Sequence, residues 1–177
     1  MTTTVSRPVV DALARAGLPA DEVLAVVERT LDEDLAWGPD VTTEATLPAE
    51  ASGTADVVAR QPGCLAGLPV AALVVETLAA RQGADVTVDL VAADGDRVRP
   101  GDVVLTVSGP LRCLLTAERT MLNLLGQLSG VATATAAWTD ALAGTQAKAR
   151  PAGPRLPFHA DRQRRAAQRQ PAVLLGA

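Results

Sequence analysis

The chain has 177 residues, of which 48% are hydrophobic and 20% are charged, and its formal net charge at pH 7 is −4. This length suffices for one domain with a core, or for one domain and part of a second, but not for two full domains. The composition is that of a soluble globular protein. No apolar run approaches the roughly 18 residues that a membrane span needs, because the run that starts at Cys64 meets Glu76. We therefore expect a cytoplasmic protein without a membrane partner, and Asp11 makes the start unlike a signal peptide.

Residues that usually bind metals are few and scattered. Cys64 and Cys113 lie far apart without a partner motif, and His159 cannot complete a metal site with them. Three carboxylates at 32–34 face different directions at the end of a predicted helix, which is typical of a solvated surface. The sequence therefore predicts no metal site from these side chains.

Charge divides the chain into two unlike parts. Residues 1–149 carry 19 acidic and 10 basic side chains, a net of −9, whereas residues 150–177 carry six arginines and one aspartate, a net of +5. Four prolines interrupt any helical or strand period in this basic tail, so we assign it no fold. Phe158 is the only aromatic residue among its arginines and the rest of the chain is acidic, so we expect no nucleic-acid partner.

The first third of the chain predicts two helices. The first covers residues 8–16 and ends at Gly17, and the second is opened by Pro19 with two acids in its first turn. The second helix has a run of apolar side chains on one side: Val23, Leu24, Val27 and Leu31. Residues 41–48 are then predicted to run extended towards Pro48.

The middle of the chain predicts short strands with a helix between them. Four segments have the alternation or punctuation of strands: 53–60, 64–67, 85–91 and 103–108. Pro69 opens the intervening helix and Gly83 ends it. Its predicted buried stripe consists of Val70, Leu73, Val74, Thr77 and Leu78. The predicted fold class is α+β, a sandwich of short strands with packed helices.

A long apolar helix follows over residues 114–138. Its predicted buried stripe recurs at spacings of three and four: Met121, Leu124, Leu125, Leu128, Val131 and Ala132. Gly126 and Gly130 leave room for close packing of a neighbouring backbone. Beyond Gly144, residues 145–150 return to an extended pattern.

Arg119 is the most informative residue of this helix. If Thr116 is the N-cap, Glu118 suits the helix dipole, whereas Arg119 at the third position opposes it by roughly 0.3–1 kcal/mol. Glu118 does not share the helix face of Arg119, so it cannot compensate this cation. An anionic ligand would find both the guanidinium and free backbone N–H groups there; a plain surface or interface arginine is the alternative.

Four segments follow one another in the order and spacing of one protein family. They are LDEDLAWGPDVTTEATLP at 31–48, ARQPGCLAGLPVA at 59–71, DGDRVRPGDVVLTVSGP at 94–110 and TAERTMLNLLGQLSGVATATAAW at 116–138. Together they resemble the amino-terminal domain and interdomain helix of quinolinate phosphoribosyltransferases over most of residues 25–150. The resemblance implies that residues 145–150 begin the first strand of an α/β barrel.

The resemblance also implies a reaction. Phosphoribosyl pyrophosphate and quinolinate would give nicotinate mononucleotide, pyrophosphate and carbon dioxide in NAD biosynthesis, with Mg²⁺. It implies a homodimer in which Arg119 binds the pyridine dicarboxylate in the neighbouring subunit. Arg119 is the one substrate-binding residue carried over; no catalytic residue and no metal ligand is assigned.

The resemblance stops near residue 150. Members of the family continue there into a D-T-R-K-T phrase, but Pro151 follows Arg150 here, and the 27 remaining residues are far fewer than the about 250 of a usual barrel. We therefore divide the chain into an N-terminal segment at 1–18, an α+β domain at 19–113, an interdomain helix with the start of a truncated barrel at 114–150, and an unmatched tail at 151–177. The Arg-, Ala- and Pro-rich tail is typical of GC-rich codons read out of frame, so we expect a truncated enzyme that is inactive alone.

Three alternatives stay open at this point. The first is a non-catalytic remnant that dimerises through the long helix. The second is a biotinyl or lipoyl carrier, because residues 94–107 resemble its turn-rich strands, although Lys148 lies outside that phrase. The third is a molybdenum-transport-associated relative with the same fold.

Overall fold

The computed structural model describes residues 5–36, 38, 41–146 and 174–176. Predictions that concern residues 147–173 lie outside this description. The elements in chain order are α1 (Arg7–Arg15), α2 (Ala20–Asp34), α3 (Val41–Thr46), β1 (Ser52–Val58), β2 (Gly63–Cys64), α4 (Leu68–Gln82), β3 (Thr87–Leu90), β4 (Arg97–Val98), β5 (Val103–Pro110), α5 (Leu111–Ala141) and β6 (Leu174–Gly176).

A four-stranded antiparallel sheet forms one layer of the domain, in the order β3-β5-β1-β6. Its inner face carries apolar side chains, with Val57, Leu105 and Val107 almost completely buried. Its outer face carries polar pairs between β1 and β5, including Thr106, which donates a hydrogen bond to Asp56 at 2.7 Å. This alternation confirms the predicted strands at 53–60 and 103–108, because a sheet covered on one face needs period-two patterning.

Helix α4 lies at the centre of the domain and contacts α1, α2, α5 and β3. The five side chains of its predicted stripe are all buried, and Ala71, Ala72 and Val75 on its other sides are buried as well. Gly83 ends the helix in a left-handed conformation with φ of 65°, as predicted. Because α4 is apolar all round, helices and sheet can pack on several of its sides. The α+β fold class is therefore confirmed.

The extended prediction for residues 41–48 is wrong, because residues 41–46 form the short helix α3. Arg112 at the start of α5 donates hydrogen bonds to the carbonyl oxygens of Glu44 and Leu47, at 3.0 and 2.6 Å. These carbonyls lie at the end of α3, where the helix has no partners of its own for them. A side chain 65 residues away in sequence thus caps the turn, which local propensity cannot indicate.

The predicted start of the long helix is also wrong. Pro110 is the N-cap residue, with φ of −60° and ψ of 123°, and α5 begins at Leu111 directly after β5. Thr116 is inside the helix, where its hydroxyl donates to the carbonyl oxygen of Arg112 at 2.7 Å. A threonine can make this bond to the residue four before it, so its presence does not by itself mark a helix start.

The shorter elements agree with the sequence in kind but not in every bound. Helices α1 and α2 form where predicted, and β3 forms within its predicted segment. Strand β2 shares only Cys64 with the segment predicted at 64–67. The two-residue strand β4, which pairs with β2, was not predicted. None of the helices in the described part of the chain combines the length and apolarity that crossing a bilayer requires.

Candidate functional site

Arg119 lies in the third turn of α5, not in its first turn as predicted. The free N–H groups of the helix start are therefore two turns away, and the argument that they bind an anion together with this guanidinium is wrong. The Arg119 side chain is nevertheless 76% exposed. The side chain points outward from α5 and can therefore meet a ligand.

Asp34, the last residue of α2, is the partner of Arg119. One carboxylate oxygen, Oδ1, lies 3.5 Å from Arg119 Nη1, and the other, Oδ2, accepts a hydrogen bond from the Thr120 hydroxyl at 3.0 Å. The Asp34 side chain is 23% exposed and Thr120 is 2% exposed, so the carboxylate lies at the boundary between core and solvent. The site therefore consists of an exposed cation held beside a largely covered anion.

Of the acids at 32–34, Asp32 and Glu33 are exposed as predicted, whereas Asp34 is partly covered. Asp32 pairs with Arg81 at 2.7 Å, and Asp34 pairs with Arg119, while Glu33 is exposed. Three acids in the last turn of α2 oppose the helix dipole by roughly 0.3–1 kcal/mol each. Two arginines from other helices offset this cost.

Most of the Arg119 guanidinium is free to bind another group. A guanidinium has five N–H donors, and the contact with Asp34 is longer than the 2.7–2.9 Å range typical of strong charge-assisted bonds. Among the residues that the structure describes, Asp34 is its only charged partner. An anion with a planar carboxylate can therefore approach Arg119 without breaking a strong ion pair.

A cleft of about 430 Å³ lies near this site, between α3 and the start of α5. Leu35, Thr43, Glu44, Arg112 and Thr116 are among its lining residues. The Arg112 guanidinium already donates hydrogen bonds to carbonyl oxygens at the end of α3. Within the described ranges, no three His, Cys, Asp or Glu side chains come together as metal ligands would.

A second cleft, of about 390 Å³, runs along the later part of α5 and is mainly apolar. Small residues of α5 form one wall, among them Gly126, Ser129 and Thr133, and residues 59–65 form the other. Cys64 lies in this wall half-buried, whereas Cys113 is buried in the core, which raises the pKa of its thiol. Cys113 is therefore a core thiol of low reactivity.

Sequence reasoning identified Arg119 but missed Asp34 and Thr120. The signal for Asp34 was present, since three acids at the negative end of a helix require cations from elsewhere in the fold. The identity of the cation was not readable, because 85 residues separate Asp34 from Arg119. Thr120 gave no signal beyond being adjacent to Arg119.

Comparison with known proteins identifies the family of this chain. The family model described as "Quinolinate phosphoribosyl transferase, N-terminal domain" matches residues 40–129, which include Arg119. The nicotinate-nucleotide pyrophosphorylase [carboxylating] of Mycobacterium leprae is 45% identical over 137 residues, covering 77% of this chain and 48% of the relative. The quinolinate phosphoribosyltransferase [decarboxylating] 1b of Nicotiana tabacum is 32% identical over 123 residues, covering 70% of this chain and 34% of the relative.

Solved structures lead to the same family. NadC from Streptococcus pyogenes superposes with a TM-score of 0.65 and 35% identity, covering 71% of this chain and 43% of that one. The nicotinate-nucleotide pyrophosphorylase from Francisella tularensis has a TM-score of 0.63 and 30% identity, covering 70% and 41%. The chain thus spans between a third and a half of the length of these relatives. It belongs to the quinolinate phosphoribosyltransferase family, which it matches through that family's N-terminal domain.

Proposed function

We propose that this chain supplies the amino-terminal domain of a quinolinate phosphoribosyltransferase. The reaction would transfer the phosphoribosyl group of phosphoribosyl pyrophosphate to quinolinate, with loss of carbon dioxide and pyrophosphate, to give nicotinate mononucleotide in NAD biosynthesis. The observation that carries the proposal is the exposed, mostly uncommitted guanidinium of Arg119 on the family's long helix. The family's relatives with nicotinate-nucleotide names favour this reaction over the molybdenum-transport alternative.

Arg119 would bind one carboxylate of quinolinate. A planar guanidinium can donate two parallel hydrogen bonds to a carboxylate, and this geometry favours a carboxylate over an anion without two such acceptor oxygens. One arginine cannot neutralise two carboxylates and a pyrophosphate group, so further cations have to come from another domain or subunit. We therefore propose a homodimer in which Arg119 reaches the site of the neighbouring subunit.

The Mg²⁺ that the resemblance implies does not fit the described residues. No three carboxylate, imidazole or thiol groups lie together in these ranges, and Mg²⁺ prefers several oxygen ligands in near-octahedral geometry. We propose that Mg²⁺ enters with phosphoribosyl pyrophosphate and is not held by this domain.

Among the described residues Arg119 is the one proposed substrate contact, so we expect catalysis to need groups from another domain or subunit. The non-catalytic dimerising remnant is therefore the second candidate, and the exposed side chains of Val131 and Trp138 on α5 favour it. A carrier module lacks support. Its attachment lysine would have to lie at the turn between β4 and β5, where residues 99–102 read RPGD.

The test is complementation with a barrel from a relative. The chain would be mixed with the carboxyl-terminal half of the Mycobacterium leprae relative, and release of pyrophosphate and carbon dioxide would be measured. The two halves of that relative, expressed separately and mixed, are the positive control. We expect turnover in the mixture and none from either polypeptide alone.

The role of Arg119 is tested in the same mixture. Arg119→Ala should raise the KM for quinolinate by about 10-fold to 100-fold, since a hydrogen bond to a charged group is worth about 1.5–3 kcal/mol. The matched control is Arg97→Ala, which removes another exposed arginine, paired with Asp140 at 2.9 Å, and should leave KM unchanged. The proposal fails if the relative's own halves are active together but this chain cannot replace its half, or if Arg119→Ala leaves KM unchanged.

A further inference from the structure

We infer that Asp34 is a positioning residue for Arg119. Its carboxylate links the buried Thr120 hydroxyl to the exposed guanidinium, through one oxygen each. This geometry alone supports the restriction of the Arg119 side chain by Asp34. The effect of that restriction on quinolinate binding rests on the proposed function.

The carboxylate of Asp34 is itself held in place. Val27 and Leu31 anchor the last turns of α2 in the core, with no exposed surface. The Thr120 hydroxyl, also buried, then orients the carboxylate by its hydrogen bond to Oδ2. The remaining oxygen, Oδ1, is therefore presented to Arg119 in a fixed direction.

Arg119, in contrast, has a long side chain with many rotamers. An exposed arginine loses rotamer freedom when it binds a ligand, and a partner that already restricts it reduces this loss. The negative charge of Asp34 works in the opposite direction, because it weakens the attraction of Arg119 for an anion. The single 3.5 Å contact leaves the other guanidinium donors exposed, and solvent screens the charge of Asp34 there, so we expect positioning to outweigh this repulsion.

The first test measures the order of the Arg119 side chain in the 177-residue chain itself. ¹⁵N relaxation of the Arg119 Nε–H group reports its motion without requiring activity. We expect the order parameter to fall in Asp34→Asn, which keeps the shape but removes the charge, and to fall less in Thr120→Val, which frees the carboxylate. Asp32→Asn is the matched control, because Asp32 lies in the same turn but pairs with Arg81.

An unchanged order parameter in Asp34→Asn, with the fold intact by circular dichroism, would overturn the inference. If Asp34→Asn fails to fold, Thr120→Val makes the same test from the other side of the carboxylate. An equal fall in Asp32→Asn would also overturn it, since this would indicate a general loosening of α2.

The second test uses the complemented mixture and separates this inference from the proposed function. Asp34→Asn should raise the KM for quinolinate by about threefold to tenfold, with kcat and the KM for phosphoribosyl pyrophosphate little changed. In an Arg119→Ala background, Asp34→Asn should have no further effect. If Arg119→Ala raises KM and Asp34→Asn does not, the inference fails alone. If neither variant changes KM while Asp34→Asn still loosens Arg119, the proposed substrate contact fails and the positioning of Arg119 stands.

Discussion

Gly67, in the turn before α4, allows this turn to approach α5 closely. Its backbone is left-handed, with φ of 94°, and a Cβ atom added to it would lie 2.5 Å from Cδ1 of Leu128 on α5. Two separate requirements therefore exclude a side chain at this position. The first is conformational and the second is steric.

Gly67→Ala should lower the free energy of unfolding by about 2–4 kcal/mol, the sum of left-handed strain and overpacking. Gly95→Ala is a control that isolates the first effect, because Gly95 has φ of 97° with nothing within 4 Å of the added Cβ. Gly95→Ala should lower the free energy of unfolding by only about 1–2 kcal/mol. Urea unfolding measures the free energy of unfolding of both variants. Equal decreases in the two variants would contradict a steric role for Leu128.

At the level of elements, α5 takes the place of a neighbouring strand beside β2. The Thr133 hydroxyl accepts a hydrogen bond from the backbone N–H of Cys64 at 2.9 Å, and the Ser129 hydroxyl accepts one from that of Ala66 at 3.1 Å. Within the described part of the chain β2 pairs with β4 alone. The two hydroxyls therefore accept hydrogen bonds from N–H groups, in β2 and just after it, that no neighbouring strand pairs there.

Thr133→Val should therefore destabilise the protein by about 1–3 kcal/mol, since it keeps the side-chain shape but leaves a half-buried N–H group unpaired. The control is Thr135→Val, two residues along the same helix. The Thr135 hydroxyl is exposed and bonds only to the carbonyl oxygen of Val131 within α5. Its loss should change the free energy of unfolding by less than about 0.5 kcal/mol. Similar losses in thermal or urea unfolding of both variants would argue against the strand-replacing role.

These element-level contacts explain where the sequence was sufficient and where it was not. Alternation located β1 and β5, and Pro69 with Gly83 located α4, because those signals act within a few residues. Helix α3 was misjudged because it depends on a neighbouring element, and the start of α5 was misjudged because a threonine inside the helix resembled an N-cap. Arg112 caps α3 from another element, and Thr116 bonds inside α5 instead of starting it. The sequence context made Arg119 a candidate, whereas its contact with Asp34 depends on the packing of α2 against α5.

For the molecule as a whole, apolar side chains of α5 are buried in the first part of the helix and exposed in the later part. Met121 and Leu125 are buried against the domain core, but Leu128, Val131 and Trp138 are 40%, 66% and 70% exposed. The sequence predicted one continuous buried stripe from Met121 to Ala132, because periodicity identifies an apolar face and not what covers it. The exposed half is an apolar surface of the kind that usually meets another protein surface.

If two copies of this chain meet along that surface, symmetry places each of its residues in the contact twice. Burying a valine contributes about 1.5–3 kcal/mol, and a buried unpaired carboxylate costs several more. Val131→Glu should therefore weaken a dimer at least about 100-fold and shift the chain to a monomer in sedimentation equilibrium at micromolar concentration. Val91→Glu is the matched control, because Val91 is a 56% exposed valine just after β3 and far from α5 in sequence. It should leave the dimer intact.

A wild-type chain that is already monomeric, or an equal effect of both variants, would contradict a dimer contact through α5. The exposed half of the helix would then be assigned to a contact other than a second copy.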